Sequence, residues 1–514
     1  MSETAVVIGS GFGGLAAAVR LRAMGWRVIV LEALDQPGGR ARVFRQDGFT
    51  WDAGPTVITA PYLLEELFAL VGRSLADYVE LVPVDPFYRI LFHDGETFDY
   101  VGDEDRLLEQ IRRRSPGDVD GYRRLAAHAE RIFDVGYTQL ADQPFHRAAD
   151  MLRVIPQMMR LQSYRTVYGL VAHYIKDERL RQALTFEPLL VGGNPFSTTS
   201  IYLLIHWLER KWGVHFAKGG TTALVHALVR LLGELDVEVR LDTPVEEIIV
   251  RNGRAAGVRT ASGETIPAAL VVSNADPSYV YGRMLPESAR PRHTDARVRR
   301  VRQSMSLFVG YFGSRREYPE LAHHTIVLGP RYKPLLDDIF RRRVLADDFS
   351  LYLHAPTRTD PTLAPAGMET FYVLSPVPNN RSGVDWERKR EPYFERVLAE
   401  LERRVLPGIR ENVISQMSLT PREFEHDLRS VDGAAFGPEP ILTQSAWFRY
   451  HNQSGDVPGL YFVGAGTHPG GGVPGVLSSA KVLERVAPRP ERPVPVPARG
   501  SPSTRMVERV RVGV

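Results

Sequence analysis

The chain contains no cysteine. Disulfides, thiol nucleophiles, iron–sulfur ligation and a cofactor tethered through sulfur are excluded at once. No uninterrupted apolar run reaches the roughly 18 residues that a membrane-spanning helix needs. Excess charge is also scarce. Lys and Arg number 64 against 61 Asp and Glu, a net of +3, so no global polyanion partner such as nucleic acid is implied. The first apolar strand begins by residue 5, which leaves no signal peptide ahead of the fold. What is present is globular composition, 44% hydrophobic and 24% charged, over 514 residues. That length exceeds one core, so two or three structural parts are expected.

The chain is organised around Val6-Val7-Ile8-Gly9-Ser10-Gly11-Phe12-Gly13-Gly14-Leu15-Ala16. An apolar run, three spaced glycines and an Ala-rich run read as strand, tight turn and helix. Gly9 makes the turn, Gly11 lets backbone approach a pyrophosphate, and Gly14 lets the helix pack on the strand. The helix N-terminus then offers unpaired N–H groups to phosphate. Val28-Ile29-Val30-Leu31 is a second buried strand, and Glu32 follows at the offset of about 20 residues expected of a ribose-binding acid. An adenine dinucleotide is expected here. The loop Gly38-Gly39-Arg40 and the run Asp52-Ala53-Gly54-Pro55-Thr56 come next, where a nicotinamide unit would continue its βα alternation. This break favours a flavin.

Helical patterning dominates from about residue 122 to 211. Short apolar runs split by Asn252-Gly253 and Ser262-Gly263 then read as the remainder of a dinucleotide sheet. Strands at Ser306 to Tyr311, Phe349 to His354 and Thr370 to Pro376 suggest a second, mixed sheet. Strand, Gly-rich loop and helix return at Leu460 to Val476. Reduced flavin is negative near N1 and the C2 carbonyl, so the helix that starts near Pro474 would aim a favourable dipole there. Beyond Ala487 prolines and arginines alternate without apolar periodicity, and disorder is expected. The divisions read this way are 1–75, 215–290 and 440–487 for a discontinuous cofactor domain, 76–104 and 291–439 for a substrate domain, 105–214 for a helical part and 488–514 for the tail.

The segment Met151 to Leu161, apolar with interspersed arginines, fits a helix lying on a membrane surface or burying one face in protein. His323 and His324 are adjacent, and neighbours on a strand point to opposite faces, so no metal is expected there. The runs Arg112 to Arg114, Arg297 to Arg302 and Arg341 to Arg343 are solvated faces or touch anionic head groups.

These residues carry a family likeness. Leu190-Val191-Gly192-Gly193-Asn194-Pro195-Phe196, Leu321-Ala322-His323-His324-Thr325, Phe349-Ser350-Leu351-Tyr352-Leu353-His354-Ala355-Pro356, Leu442-Thr443-Gln444-Ser445-Ala446-Trp447-Phe448-Arg449 and Gly464-Ala465-Gly466-Thr467-His468-Pro469-Gly470 are its most specific stretches, within a match over roughly residues 4–487. The chain resembles the carotenoid desaturases of the flavin amine-oxidase-like superfamily, and among them the bacterial and fungal phytoene desaturases. The resemblance implies an α/β fold: a discontinuous Rossmann-like FAD-binding domain of the glutathione-reductase type, a mixed-sheet substrate domain and a helical, membrane-associated part. It implies FAD as cofactor, with Gly9, Gly11 and Gly14 at the pyrophosphate, Glu32 on the ribose and Gly39 and Arg40 by the phosphates. Val245 would offer backbone to the adenine, and Gly54, Pro55, Thr56, Gly464, Gly475 and Val476 would approach the flavin. Ala465 stands where many relatives carry an acid.

The implied reaction is successive desaturation of phytoene and partly desaturated carotenes to lycopene or neurosporene, at the cytoplasmic side of a membrane, with oxygen or quinone as electron acceptor. Removing hydrogen from an unactivated hydrocarbon needs a hydride acceptor, which no side chain provides. Asp150 and Arg153, three apart on one helix face, are implied as an acid–base pair, or they form a plain ion pair or cap. Another carotenoid or squalene-type desaturase, a hydroxy- or methoxycarotenoid dehydrogenase, and a non-catalytic prenyl-lipid escort share the glycine motifs.

Overall fold

Five short strands far apart in the sequence lie side by side. In the computed structural model, which describes residues 3–497, they form one parallel sheet in the order Leu460–Phe462, Leu270–Ser273, Thr4–Ile8, Arg27–Leu31 and Glu238–Arg240. Val6 lies opposite both Ile29 and Val271 at the centre. One face packs on the helices Phe12–Ala23, Thr221–Glu234 and Val473–Val486 through Ala5, Val7, Val28 and Val30. The other face, through Val6, Ile8 and Leu31, packs on the antiparallel strands Val245–Arg251, Arg254–Thr260 and Thr265–Pro267. Burial on both sides explains why these strands read as continuous apolar runs.

The second sheet has seven strands in the order Val413–Leu419, Ser306–Ser314, Glu369–Val377, Leu351–His354, His324–Val327, Tyr88–Leu91 and Thr97–Tyr100. All neighbours are antiparallel except His324–Val327 with Tyr88–Leu91. Its two faces separate by strict alternation. Phe308, Phe312, Phe371, Val373, Leu351 and Leu353 face outward onto the helix Trp386–Arg404. Leu307, Val309, Tyr311, Tyr352 and Tyr372 face inward. Gly310 is where the helix comes closest, since a Cβ there would lie 2.5 Å from the Phe394 ring.

Residues 104–212 are mostly helical. Val119–Phe133 packs against Leu204–Trp212, whereas Ala148–Arg160 buries none of its residues. Among the described residues no helix is long and apolar enough to cross a membrane.

The disorder expected from residue 488 is corrected for its first stretch. Trp26 Nε1 donates to the Pro488 carbonyl at 3.0 Å, Arg22 donates to the Val494 carbonyl at 2.8 Å, and Val494 N–H donates to Gly25 at 2.8 Å. A proline-rich segment has few N–H groups of its own, and its carbonyls here accept from buried side chains. Residues 498–514 of that expectation lie outside the described residues.

Candidate active site

The C-terminal ends of the parallel strands open into a large, mostly apolar cavity. Its wall takes in Gly9, Gly11 and Glu32 at the sheet edge, Thr56 and Tyr352 between the sheets, and Met151 and Met158 from the helical part.

Glycine is required at the sheet edge because backbone and Asn274 crowd it. A Cβ on Gly14 would sit 2.0 Å from the Gly9 carbonyl oxygen, and one on Gly13 would sit 2.9 Å from Gly464 backbone. Gly11 is the N-cap of the helix Phe12–Ala23 and provides no side-chain cap. Gly472, with φ +85°, caps the helix Val473–Val486, likewise without a side-chain hydrogen bond. A third helix, Thr221–Glu234, ends differently. The buried Asp52 carboxylate accepts from Thr221 N at 2.8 Å and Thr222 N at 3.2 Å. Burial pushes Asp52 up to about 6, against the pull of those N–H bonds. Two helix N-termini thus remain uncapped by side chains at the cavity and a third is closed.

Glu32 is buried, with Oε2 accepting from Ser10 N and Ser10 Oγ, both at 2.7 Å, and Oε1 accepting from Leu34 N at 3.1 Å. The Arg40 guanidinium donates to the Ala435 carbonyl at 2.7 Å and to Ser430 Oγ at 2.5 Å. Burial lowers its pKa from the usual value while Asp276 raises it. The Val245 carbonyl accepts from Arg429 at 3.1 Å. Gly39, Arg40, Gly54, Pro55, Thr56, Val245, Gly475 and Val476 all line the cavity. Gly14 and Gly464 stand behind it, where Gly464 N–H donates to Ser479 Oγ at 2.8 Å.

The segment Ala53 to Thr56 is fixed from the second sheet. Tyr311 donates its hydroxyl proton to the Ala53 carbonyl at 2.7 Å, and the Tyr352 hydroxyl lies 2.6 Å from Thr56 Oγ1 and 2.7 Å from His324 Nδ1. Arg449 ties the C-terminal loop together by donating to the carbonyls of Ala465 at 2.6 Å and Thr467 at 3.1 Å.

Asp150 and Arg153 are not brought together. Asp150 Oδ2 accepts from Arg147 N at 3.0 Å, which caps the helix Ala148–Arg160. Arg153 is exposed, neither residue lines the cavity, and among the described residues no ion pair joins them. The Arg runs are largely paired within the chain: Arg112 and Arg113 with Glu109, Arg341 with Asp337 and Arg342 with Asp338.

His323 and His324 do not point apart. His323 precedes the strand His324–Val327, so strand alternation does not govern it. Their rings are 4.5 Å apart, and with His354 their ligand atoms all lie within 4.8 Å. His323 Nε2 and His354 Nε2 are 3.0 Å apart in a hydrogen bond, and His323 Nδ1 lies 2.7 Å from Thr359 Oγ1. Burial keeps all three neutral, with His323 pushed down to about 3.

Sequence reasoning missed Asn274, Tyr352 and the helix cap made by Asp52. Asn274 had a signal, because it directly follows the strand Leu270–Ser273 at the edge where such sheets bind their ligands.

The glycine cradle, the two uncapped helix ends and the buried Glu32 fit an adenine dinucleotide, and Thr56 and Gly475 line the same cavity. A family model, flavin containing amine oxidoreductase, matches residues 12–482. The chain belongs to this family of flavoenzymes, and its cofactor is FAD. Within it, the chain is 50% identical to a phytoene desaturase (lycopene-forming) from Pseudescherichia vulneris, over 93% of this chain and 97% of that protein. It is 46% identical to a phytoene desaturase (neurosporene-forming) from Rhodobacter capsulatus, over 95% of each. An oxidoreductase from Methanosarcina mazei shares the fold at TM-score 0.63, with 18% identity over 94% of this chain and all of that one.

Proposed function

We propose that this chain is an FAD-dependent phytoene desaturase that introduces successive double bonds into phytoene, giving lycopene or neurosporene. The observation that carries the reading is the joining of two environments in one cavity. A polar glycine edge suited to a dinucleotide opens into a wall of Leu, Ile, Phe and Met side chains, among them Phe186, Leu189, Ile326 and Met158. A hydrocarbon substrate gains from such a wall through burial, at about 25 cal/mol per Å² of apolar surface. When bound, the flavin supplies the hydride acceptor. The chain's own part is to hold the dinucleotide at its glycines and Glu32, to fix Ala53 to Thr56 against Tyr311 and Tyr352, and to exclude water. The test is expression in a host that accumulates phytoene and lacks a desaturase. Coloured polyene is expected. A colourless culture that contains folded, flavin-loaded protein contradicts the reading.

The substrate is dissolved in lipid, and the protein is proposed to work at the membrane surface, on its cytoplasmic side, with oxygen or quinone taking the electrons. Support comes from the helix Ala148–Arg160. Leu152, Ile155 and Met159 are exposed beside Arg153 and Arg160, while Met151 and Met158 line the cavity. Leu442 and Phe448 add exposed apolar surface on segments that also border this region. Such a face binds lipid through apolar burial and cationic attraction. Replacing both Leu152 and Met159 by Glu is expected to weaken liposome cosedimentation by an order of magnitude or more, with FAD content unchanged. Undiminished cosedimentation contradicts this placement.

A further inference from the structure

The charged side chains Glu32, Arg40 and Arg42, where the cavity meets the parallel sheet, are engaged within the chain. Glu32 is held by Ser10 and Leu34, Arg40 donates to Ala435 and Ser430, and Arg42 pairs with Asp427 at 3.0 Å. Asn274 lines the same edge, half-buried, and differs from them. Among the described residues no hydrogen bond engages its side-chain amide. Backbone fixes its place. Asn274 N–H donates to the Ile8 carbonyl at 2.8 Å, which continues the pairing of the strands Leu270–Ser273 and Thr4–Ile8. The amide is thereby set among glycines from both ends of the chain. A Cβ on Gly11 would lie 2.8 Å from Nδ2, and one on Gly9 would lie 3.6 Å from it. A Cβ on Gly13 or on Gly464 would lie 2.5 Å from Oδ1. One side chain thus fills the space between the first glycine turn and the C-terminal loop, beside the uncapped start of the helix Phe12–Ala23.

An amide donor left without an acceptor in a mostly apolar cavity costs free energy. The acceptor that would satisfy it is one the chain itself does not supply, and the helix end beside it favours a negative one. We propose that Asn274 is a further cofactor-binding residue, whose Nδ2 donates to the diphosphate of FAD while Oδ1 rests against Gly13 and Gly464. A neutral amide gives the anion a hydrogen bond without adding a charge to the cavity wall. Its contact with Gly464 links that bond to the seating of the C-terminal loop, so the diphosphate and both ends of the chain share one side chain. The proposal rests on FAD as the cofactor, whatever hydrocarbon is oxidised.

The test is release of FAD from loaded protein on dilution, read as the rise in flavin fluorescence. Asn274→Ala removes the donor and the packing together and adds no charge. Asn274→Asp keeps the shape, removes the donor and sets a carboxylate by the diphosphate. Asn274→Ala is expected to release FAD roughly 10-fold faster than wild type or more, and Asn274→Asp about 10-fold faster again. A side chain that only fills space gives the reverse order, because the aspartate preserves its packing. Release from Asn274→Asp no faster than from Asn274→Ala overturns the proposal, as does a wild-type rate in Asn274→Ala. Should Asn274→Asp purify without flavin, phosphorus NMR of loaded Asn274→Ala decides. At least one diphosphate resonance is expected to move from its wild-type position, and unmoved resonances overturn the proposal. Should both variants lose flavin while keeping the wild-type circular dichroism, their binding of ADP and of adenosine decides. Weakened ADP with unchanged adenosine, each against flavin-stripped wild type, is expected, and equal weakening of the two overturns the proposal.

Discussion

Gly14→Ala is expected to yield folded protein that purifies without flavin. The added Cβ would lie 2.0 Å from the Gly9 carbonyl oxygen and 3.1 Å from the Gly9 carbonyl carbon. Both atoms are backbone of the turn proposed to meet the pyrophosphate, so no rotamer change relieves the clash. Either the helix Phe12–Ala23 backs away from the strand Thr4–Ile8 or the turn opens, and both outcomes displace the N–H groups offered to phosphate. Overpacking costs about 1–3 kcal/mol. Charged entirely to the cofactor-competent turn, that is roughly 5- to 150-fold in FAD affinity. The measurement is FAD released per chain on denaturation, with circular dichroism as the check on folding. Gly11→Ala is expected to be milder in steric terms, because its Cβ would meet the Asn274 side-chain nitrogen at 2.8 Å and a side chain can move. Equal flavin content in wild type and Gly14→Ala contradicts the role assigned to this turn.

The second large effect is acid sensitivity. His323, His324 and His354 are buried, hydrogen-bonded and neutral, with pKa values pushed below the ordinary histidine value by burial. A histidine whose folded-state pKa is depressed contributes stability that is present above its unfolded pKa near 6.5. That stability is lost as pH falls, because the unfolded chain takes up protons that the folded one refuses. Each such histidine contributes a slope of about 1.4 kcal/mol per pH unit, and three together about 4 kcal/mol per pH unit, between roughly pH 6 and pH 4. The thermal midpoint is therefore expected to fall steeply over that window and to change little from this cluster between pH 7 and 8. His354→Asn is expected to flatten the fall by about a third of the cluster's share. An unchanged slope in that variant shows that the trio is not the source.

The glycine turn and Glu32 were legible in the sequence because their spacing is local: strand, turn, helix and second strand follow one another within about 30 residues. The discontinuous parallel sheet was legible for the same reason, since each strand carries its own apolar run. What stayed hidden was long-range. Asp52 closes a helix that begins 169 residues later, and nothing local marks a carboxylate as a cap for so distant a segment. The histidine pair was misread because alternation was applied across a strand boundary, one residue before the strand starts. For Asp150 the family likeness implied an acid–base role and its place on the helix allowed a plain ion pair or cap; its geometry is that of a helix cap.

The central claim is that both ends of the chain enclose one FAD, which strips hydrogen from a hydrocarbon held in the adjoining apolar cavity. Its most direct test is a single anaerobic turnover, with FAD-loaded protein mixed with phytoene in liposomes and the pigments extracted and resolved. The account predicts one new carbon–carbon double bond for each flavin bleached. Bleaching without any new double bond, or new double bonds with the flavin still oxidised, would contradict it.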